Sequence, residues 1–141
     1  MNPPPSFICC ICSECPKADT CLRRMAFAEM NSQRAEITIV NPAFKNVSTD
    51  QCEYYRSIQP LRCGKGMKHL LDNVPACVYQ SIKSNLIYHF TRTRYYAMVK
   101  GNSLVRPDDQ AYIANVFSQN GVEQTPEYDD YVDDYNWGNI Y

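Results

Sequence analysis

The stretch Pro75-Ala76-Cys77-Val78-Tyr79-Gln80-Ser81-Ile82-Lys83-Ser84-Asn85-Leu86-Ile87-Tyr88-His89-Phe90, followed by Thr91-Arg92-Thr93-Arg94-Tyr95-Tyr96-Ala97-Met98-Val99-Lys100-Gly101, decides the fold class. Val78, Ile82, Leu86 and Phe90 recur every four residues, so they mark one face of a helix over about 75–89. Thr91 can cap a second, shorter helix from Arg92 to Lys100, closed by Gly101. Arg106-Pro107-Asp108-Asp109 opens a third, with Pro and acids in the first turn, where the helix dipole favours them. Its buried stripe is Tyr112, Ile113, Val116 and Phe117, and Asn120-Gly121 ends it.

Upstream the pattern is more broken. Asp19 or Thr20 can cap a helix near 20–31 that carries Leu22, Met25, Ala26 and Met30 on one stripe, with Arg23 and Arg24 off it. Glu36-Ile37-Thr38-Ile39-Val40 alternates and is β-branched, which predicts a short strand ended by Asn41-Pro42. Met67, Leu70, Leu71 and Val74 have helical spacing and stop before Pro75. The expected architecture is mostly α with a small β element (α+β). An N-terminal cysteine metal knuckle leads into a small helical bundle and an acidic aromatic tail. Residues 1–62 form the cysteine-rich region, 63–121 the basic helical region and 122–141 the tail, docked into a single compact unit.

The 141 residues suffice to bury a core, and no apolar run is long enough to span a membrane. The formal net charge of -1 conceals a segregation. Residues 51–106 hold nine bases and two acids, a net +7, whereas 107–141 hold eight acids and no base, a net -8. Charges of opposite sign on one chain attract. Tyr128, Tyr131, Tyr135 and Trp137 add apolar surface that solvated acidic tails lack. The expectation is that Tyr131, Tyr135 and Trp137 dock on the body while the aspartates face the basic segment.

Eight cysteines are present, five of them within the first 21 residues: Cys9, Cys10, Cys12, Cys15 and Cys21. Met1-Asn2-Pro3-Pro4-Pro5-Ser6 has no positive leader segment, and Phe7 to Cys12 is too short for a signal-peptide core. The reading is therefore a reducing cytoplasm, where clustered thiols bind metal more often than they pair. Cys12-x2-Cys15 is a suitable knuckle, and Cys10-x4-Cys15-x5-Cys21 is an alternative local set. The fourth ligand comes from Cys52 or Cys63. Cys52 is favoured because it follows the turn-rich Ser48-Thr49-Asp50-Gln51 and because Tyr54-Tyr55 can shield the site. Zinc, which tolerates irregular spacing, is preferred to an iron–sulfur cluster. Cys77, on an apolar helix, and Cys63 read as small buried hydrophobes.

Over most of the chain these residues resemble an uncharacterised family of gut-Bacteroidetes proteins of about this length. The resemblance rests on Cys15-Pro16-Lys17-Ala18 to Cys21-Leu22-Arg23, Val40-Asn41-Pro42, Cys52-Glu53-Tyr54-Tyr55, Gly66-Met67-Lys68-His69-Leu70, Asp72-Asn73-Val74-Pro75 and Tyr135-Asn136-Trp137. It implies a bacterial domain of unknown function and brings no activity. It implies Cys10, Cys15, Cys21 and Cys52 as the ligand set, with Cys12 the alternative to Cys10.

Thr91-Arg92-Thr93-Arg94-Tyr95-Tyr96 with Lys100-Gly101-Asn102 is similar to the recognition-helix stretch of repressor-like helix-turn-helix proteins. That resemblance implies DNA contacts from Arg92, Thr93, Arg94 and Lys100, since a helix N-terminus and first-turn arginines meet phosphates and base edges. Lys65, Lys68 and Lys83 could add phosphate contacts. The plain alternative is a solvated basic face. No nucleophile elbow, phosphate loop or His-Glu-x-x-His is present, and His69 and His89 are the only histidines. The expected function is thus a non-enzymatic cytoplasmic binding or adaptor module with a structural metal. Nucleic acid is its first candidate partner, and no small-molecule substrate or membrane is inferred. The alternative is a protein–protein regulatory module acting through the tail.

Overall fold

The helical periodicity after Pro75 forms as the spacing predicts. The computed structural model describes residues 2–138. Its helices are α1 (Leu22–Met30), α2 (Ala76–Phe90), α3 (Arg92–Lys100) and α4 (Pro107–Gln119). Two strands, β1 (Leu61–Lys65) and β2 (Asp130–Asp134), pair antiparallel with Leu61 opposite Asp134 and Lys65 opposite Asp130. The fold is a small, mostly α, α+β arrangement. The chain divides into two compact units: within the described residues, one takes 2–60 and 135–138 and the other 61–134.

In the 61–134 unit, Ile82, Leu86 and Phe90 of α2 are buried with Ile113, Val116 and Phe117 of α4 and Tyr95 and Met98 of α3. Gly101 ends α3 in the left-handed conformation. Pro107 begins α4, and the Asp109 carboxylate accepts the Arg106 backbone N–H at 3.2 Å. Thr91 separates α2 from α3 with a φ of 72° and makes no side-chain cap bond, so the expected capping role is not the one it plays. β1 lies between β2 and Val105, whose backbone exchanges two hydrogen bonds of 2.8 Å with Gly64. A Cβ on Gly64 would stand 2.6 Å from the Tyr128 ring, so only glycine permits that ring to close over the strand.

Met67, Leu70, Leu71 and Val74 are buried in this core but not on a helix. They lie on successive turns, with hydrogen bonds Leu70 N–H to Met67, Asp72 N–H to His69 and Val74 N–H to Leu71. The Lys68 and His69 amides instead donate to the Asp129 carboxylate at 3.0 and 3.4 Å. A side chain from sixty residues away thus satisfies the donors, and the same spacing of apolar residues is buried without helical propagation.

In the other unit, Leu22, Ala26 and Met30 of α1 pack with Phe7, Cys9 and Trp137. Asp19 and Thr20 belong to a short 3₁₀ turn, Ala18–Thr20, and Cys21 holds the N-cap position of α1 with no side-chain cap bond. The strand expected at 36–40 does not form. That segment makes one parallel bridge, Cys9 N–H to Thr38 at 2.8 Å and Val40 N–H to Cys9 at 2.9 Å. β-branched residues favour a strand only where cross-strand neighbours exist to pack against, and Cys9 offers one residue of pairing.

Candidate functional site

Cys10, Cys15, Cys21 and Cys52 line one cavity of about 20 Å³, with Lys17, Arg23, Tyr54 and Tyr55 among its other walls. That volume holds one water-sized atom. Each thiol is brought there by a different local device. The Cys10 N–H donates to the Arg23 carbonyl at 3.1 Å, which lays the N-terminal segment along the start of α1. Cys15 opens a turn closed by the Ala18 N–H at 3.0 Å. Cys21 sits at the head of α1 and bridges Ser57, flanked by Leu22 N–H to Arg56 at 2.6 Å and Ile58 N–H to Thr20 at 3.1 Å. Cys52 stands between two turns, donating to Thr49 and accepting from the Tyr55 N–H, each at 3.2 Å.

The loop that delivers Cys52 contains two non-glycine residues with left-handed backbone, Asn46 at φ 65° and Ser48 at φ 63°. Such conformations cost free energy and are held by surrounding contacts. Ser48 also lines the cavity, and its hydroxyl is buried with no hydrogen-bond partner among the described residues.

Arg23 is the residue of this site that sequence reasoning passed over. Its Nε donates to the Tyr54 carbonyl at 2.7 Å and its Nη1 to the Ile8 carbonyl at 2.8 Å, so the guanidinium is fixed beside the thiols. Burial and then the charge of Arg56 lower its pKa, while the thiols of Cys21, Cys10 and Cys52 act in the opposite sense. The signal in the sequence was its position two residues after Cys21, on the face of α1 that the apolar stripe leaves out. Lys17 adds a second cation, with its Nζ 4.6 Å from the Tyr55 ring centre.

Burial raises the Cys10 pKa, opposed by a backbone hydrogen bond from Cys12. Cys12 itself lies in an outer groove with Glu14, Cys15 and Ser48. Cys9 is fully buried, with its Sγ 3.5 Å from the Met30 sulfur. Cys63 is buried in β1, in the other unit. Cys77 is exposed on α2, contrary to the expected burial: it sits one residue before Val78, off the stripe that the core takes. Among the described residues, no group of three or more His, Cys, Asp and Glu side chains is arranged to hold a metal ion.

The residues of the basic segment divide between surface and interior. Arg92, Thr93 and Lys100 of α3 are exposed. Arg94 points inward and pairs with Asp109 at 2.8 Å, with its guanidinium over the Phe90 ring at 5.2 Å. Only Thr91 separates α2 from α3, where a helix-turn-helix has a turn of roughly three or four residues. His69 is exposed and bonds Asp72 at 2.7 Å, and His89 stacks on Tyr112 at 3.6 Å.

The tail residues lie in both units. In the 61–134 unit, Asp133 pairs with Arg62 at 3.5 Å and Asp134 with Arg106 at 3.2 Å. Tyr131, at the edge of exposure, has Arg62 over its ring at 5.4 Å and accepts the Tyr128 N–H. In the other unit, Trp137 is buried edge-on against Phe7 at 5.0 Å, and Tyr135 is partly buried beside it.

Residues 2–137 match the model of a family of unknown function, DUF6078, and the chain belongs to that family. No curated protein and no solved structure matches it. Among the described residues no helix is long and apolar enough to cross a membrane.

Proposed function

We propose that this member of the DUF6078 family is a small binding module stapled by one structural zinc ion on Cys10, Cys15, Cys21 and Cys52. The observation that carries the reading is the convergence of these four residues, spread over 43 positions of sequence, on the walls of one atom-sized cavity. The backbone gathers them, and rotation of the thiol side chains draws the sulfurs onto the ion. Four thiolates on a divalent ion leave a net charge of about −2. Lys17 stands beside the cavity as a counter-charge. A closed tetrathiolate leaves no open position for chemistry, so the ion's role is structural. Cys12 is the alternative to Cys10, and an iron–sulfur cluster the alternative to zinc.

Elemental analysis of the purified chain tests this reading, with one zinc per chain expected. Cys15→Ser or Cys52→Ser abolishes the metal and loosens the 2–60 region, because a site absent from the unfolded chain couples binding to folding. A metal-free chain, equally stable under reducing conditions before and after chelation, removes the zinc reading. An iron-containing brown preparation replaces zinc with a cluster.

The partner that this module serves is proposed to be nucleic acid, met by the exposed Arg92, Thr93 and Lys100 of α3. The second reading is a protein partner engaged through the tail, favoured by the ion pairs that Asp133 and Asp134 form with Arg62 and Arg106. These aspartates occupy the charges an external polyanion would use. Salt dependence separates the two, since phosphate contacts release counter-ions and lose affinity steeply with salt. A cytoplasmic, bacterial setting accompanies either reading.

A further inference from the structure

A second pocket of about 190 Å³, which shares Arg23 with the thiol cavity, is lined by Ser6, Phe7, Arg23, Arg56, Trp137 and Gly138. Two guanidinium groups share its wall. Arg23 is held by its bonds to the Tyr54 and Ile8 carbonyls, and Arg56 donates from Nη1 to the Asn136 carbonyl at 3.3 Å. Both lie over the Phe7 ring, at 5.2 and 5.7 Å from its centre. Gly138 makes the room for Arg56: a Cβ there would stand 2.6 Å from Arg56 Nη1, and its φ of 80° already favours glycine.

Among the described residues, neither guanidinium pairs with a carboxylate. In the 61–134 unit, by contrast, Arg62, Arg94 and Arg106 each have an aspartate partner. Two half-buried like charges beside each other are unfavourable unless something supplies the opposite charge.

We propose that the pocket between Arg23 and Arg56 binds a phosphate dianion, free or as the terminal group of a small phosphomonoester. Two cations match a dianion, and guanidinium forks match tetrahedral phosphate oxygens. The Ser6 hydroxyl lines the same pocket and supplies a neutral donor. The volume lies below the roughly 300–1,000 Å³ of drug-sized sites, so the ligand is a small anion or a single phosphoryl end. Trp137 and Phe7 form an apolar wall that an aromatic ester can cover. Arg56, unlike Arg23, does not line the thiol cavity, so it tests this site without touching the proposed zinc ligands.

The experiment titrates the full chain, metal content measured beforehand, with inorganic phosphate, phenyl phosphate and acetate in low-chloride buffer. It reads heat and the fluorescence of Trp137, the single tryptophan. Saturable binding of a phosphate compound is expected, with about one ligand per chain and a change in tryptophan emission. Arg56→Gln is expected to weaken binding by about tenfold or more, the loss of one charge-assisted contact. Arg56→Lys, which keeps the charge and loses the fork, falls between and serves if the glutamine variant unfolds. Tighter binding of phenyl phosphate assigns the monoester, and equal or tighter binding of inorganic phosphate assigns the free ion. No saturable response to either phosphate compound overturns the proposal. So does acetate binding as tightly as phosphate, or affinity unchanged in a folded Arg56 variant.

Discussion

At the residue scale, Arg92 and Arg94 stand two positions apart on α3 and do opposite things. A helix turns through about 200° over two residues, so neighbours of identical chemistry face away from each other. Arg92 faces solvent, and Arg94 closes on Asp109 in a mostly buried pair. Arg94→Ala leaves the Asp109 carboxylate without that partner and is expected to cost about 1–3 kcal/mol, read by urea unfolding. Arg92→Ala with Lys100→Ala is expected to leave stability within about 0.5 kcal/mol. The same pair weakens nucleic-acid binding and flattens its salt dependence. If the Arg92/Lys100 pair binds DNA and RNA as the parent does, α3 is not the contact helix. Sequence spacing placed both arginines on a helix, but it could not assign Arg94 to the interior. That depended on Asp109, fifteen residues away on α4.

At the scale of elements, α2, α3 and α4 were legible because each carries its own signal: an apolar stripe, a closing glycine or a Pro–Asp start. β1 and β2 were not. Leu61-Arg62-Cys63-Gly64-Lys65 alternates over five residues with a glycine inside it, and its partner lies about seventy residues on, in a run of aspartates. Pairing at that distance leaves no local trace, and strand propensity is set by what lies across. The four thiols were legible as a cluster because cysteines crowd the sequence. The guanidiniums beside them were not, because a position off the apolar stripe, such as that of Arg23 two residues after Cys21, reads equally as solvent-facing.

The helical unit also carries a pH dependence. Burial, with the charges of Tyr79 and Tyr96 adding, pushes the Tyr95 phenol up to about 12. Burial, then Tyr131 and Asp109, pushes Tyr128 up further. In the unfolded chain both ionise near about 10. The folded state therefore keeps protons that the unfolded state releases. This contribution is complete below about pH 10 and is lost as pH rises through 12. Buried Cys63 of the same unit acts with the same sign from lower pH. Urea midpoints between pH 9 and 12 should fall steeply in the parent and less steeply in Tyr95→Phe/Tyr128→Phe. Near neutral pH, Tyr128→Phe alone is expected to be neutral or slightly stabilising, since its hydroxyl is buried with no hydrogen-bond partner among the described residues. An identical alkaline decline in the double variant would remove the phenols as its cause.

At the scale of the whole molecule, the acidic end supplies β2 to the helical unit and Trp137 to the core around α1. Deleting residues 125–141 is expected to lower the stability of both units. Loss of Trp137 alone costs the N-terminal core about 3–5 kcal/mol, the range for a buried tryptophan truncated to alanine. Circular dichroism and the midpoint of thermal unfolding measure this. Unchanged stability with a gain in nucleic-acid affinity would instead make the end a detachable polyanion mimic. The charge segregation was visible in the sequence. That one aspartate caps a run of turns, two pair with arginines and the residues beyond join a different unit was not, because composition carries sign and not address.

The path of the chain between its two units bears on how the protein is made. The chain leaves the cysteine-bearing unit after Pro60 and re-enters it at Tyr135, and Leu61 faces Asp134 across the β1–β2 ladder. The helical unit therefore begins and ends at neighbouring points, in the manner of a domain inserted into a host. On the ribosome, residues 61–134 are all synthesised before Trp137 is added. The host unit can gather its thiols early, but it cannot close its hydrophobic core until the whole helical unit has been made.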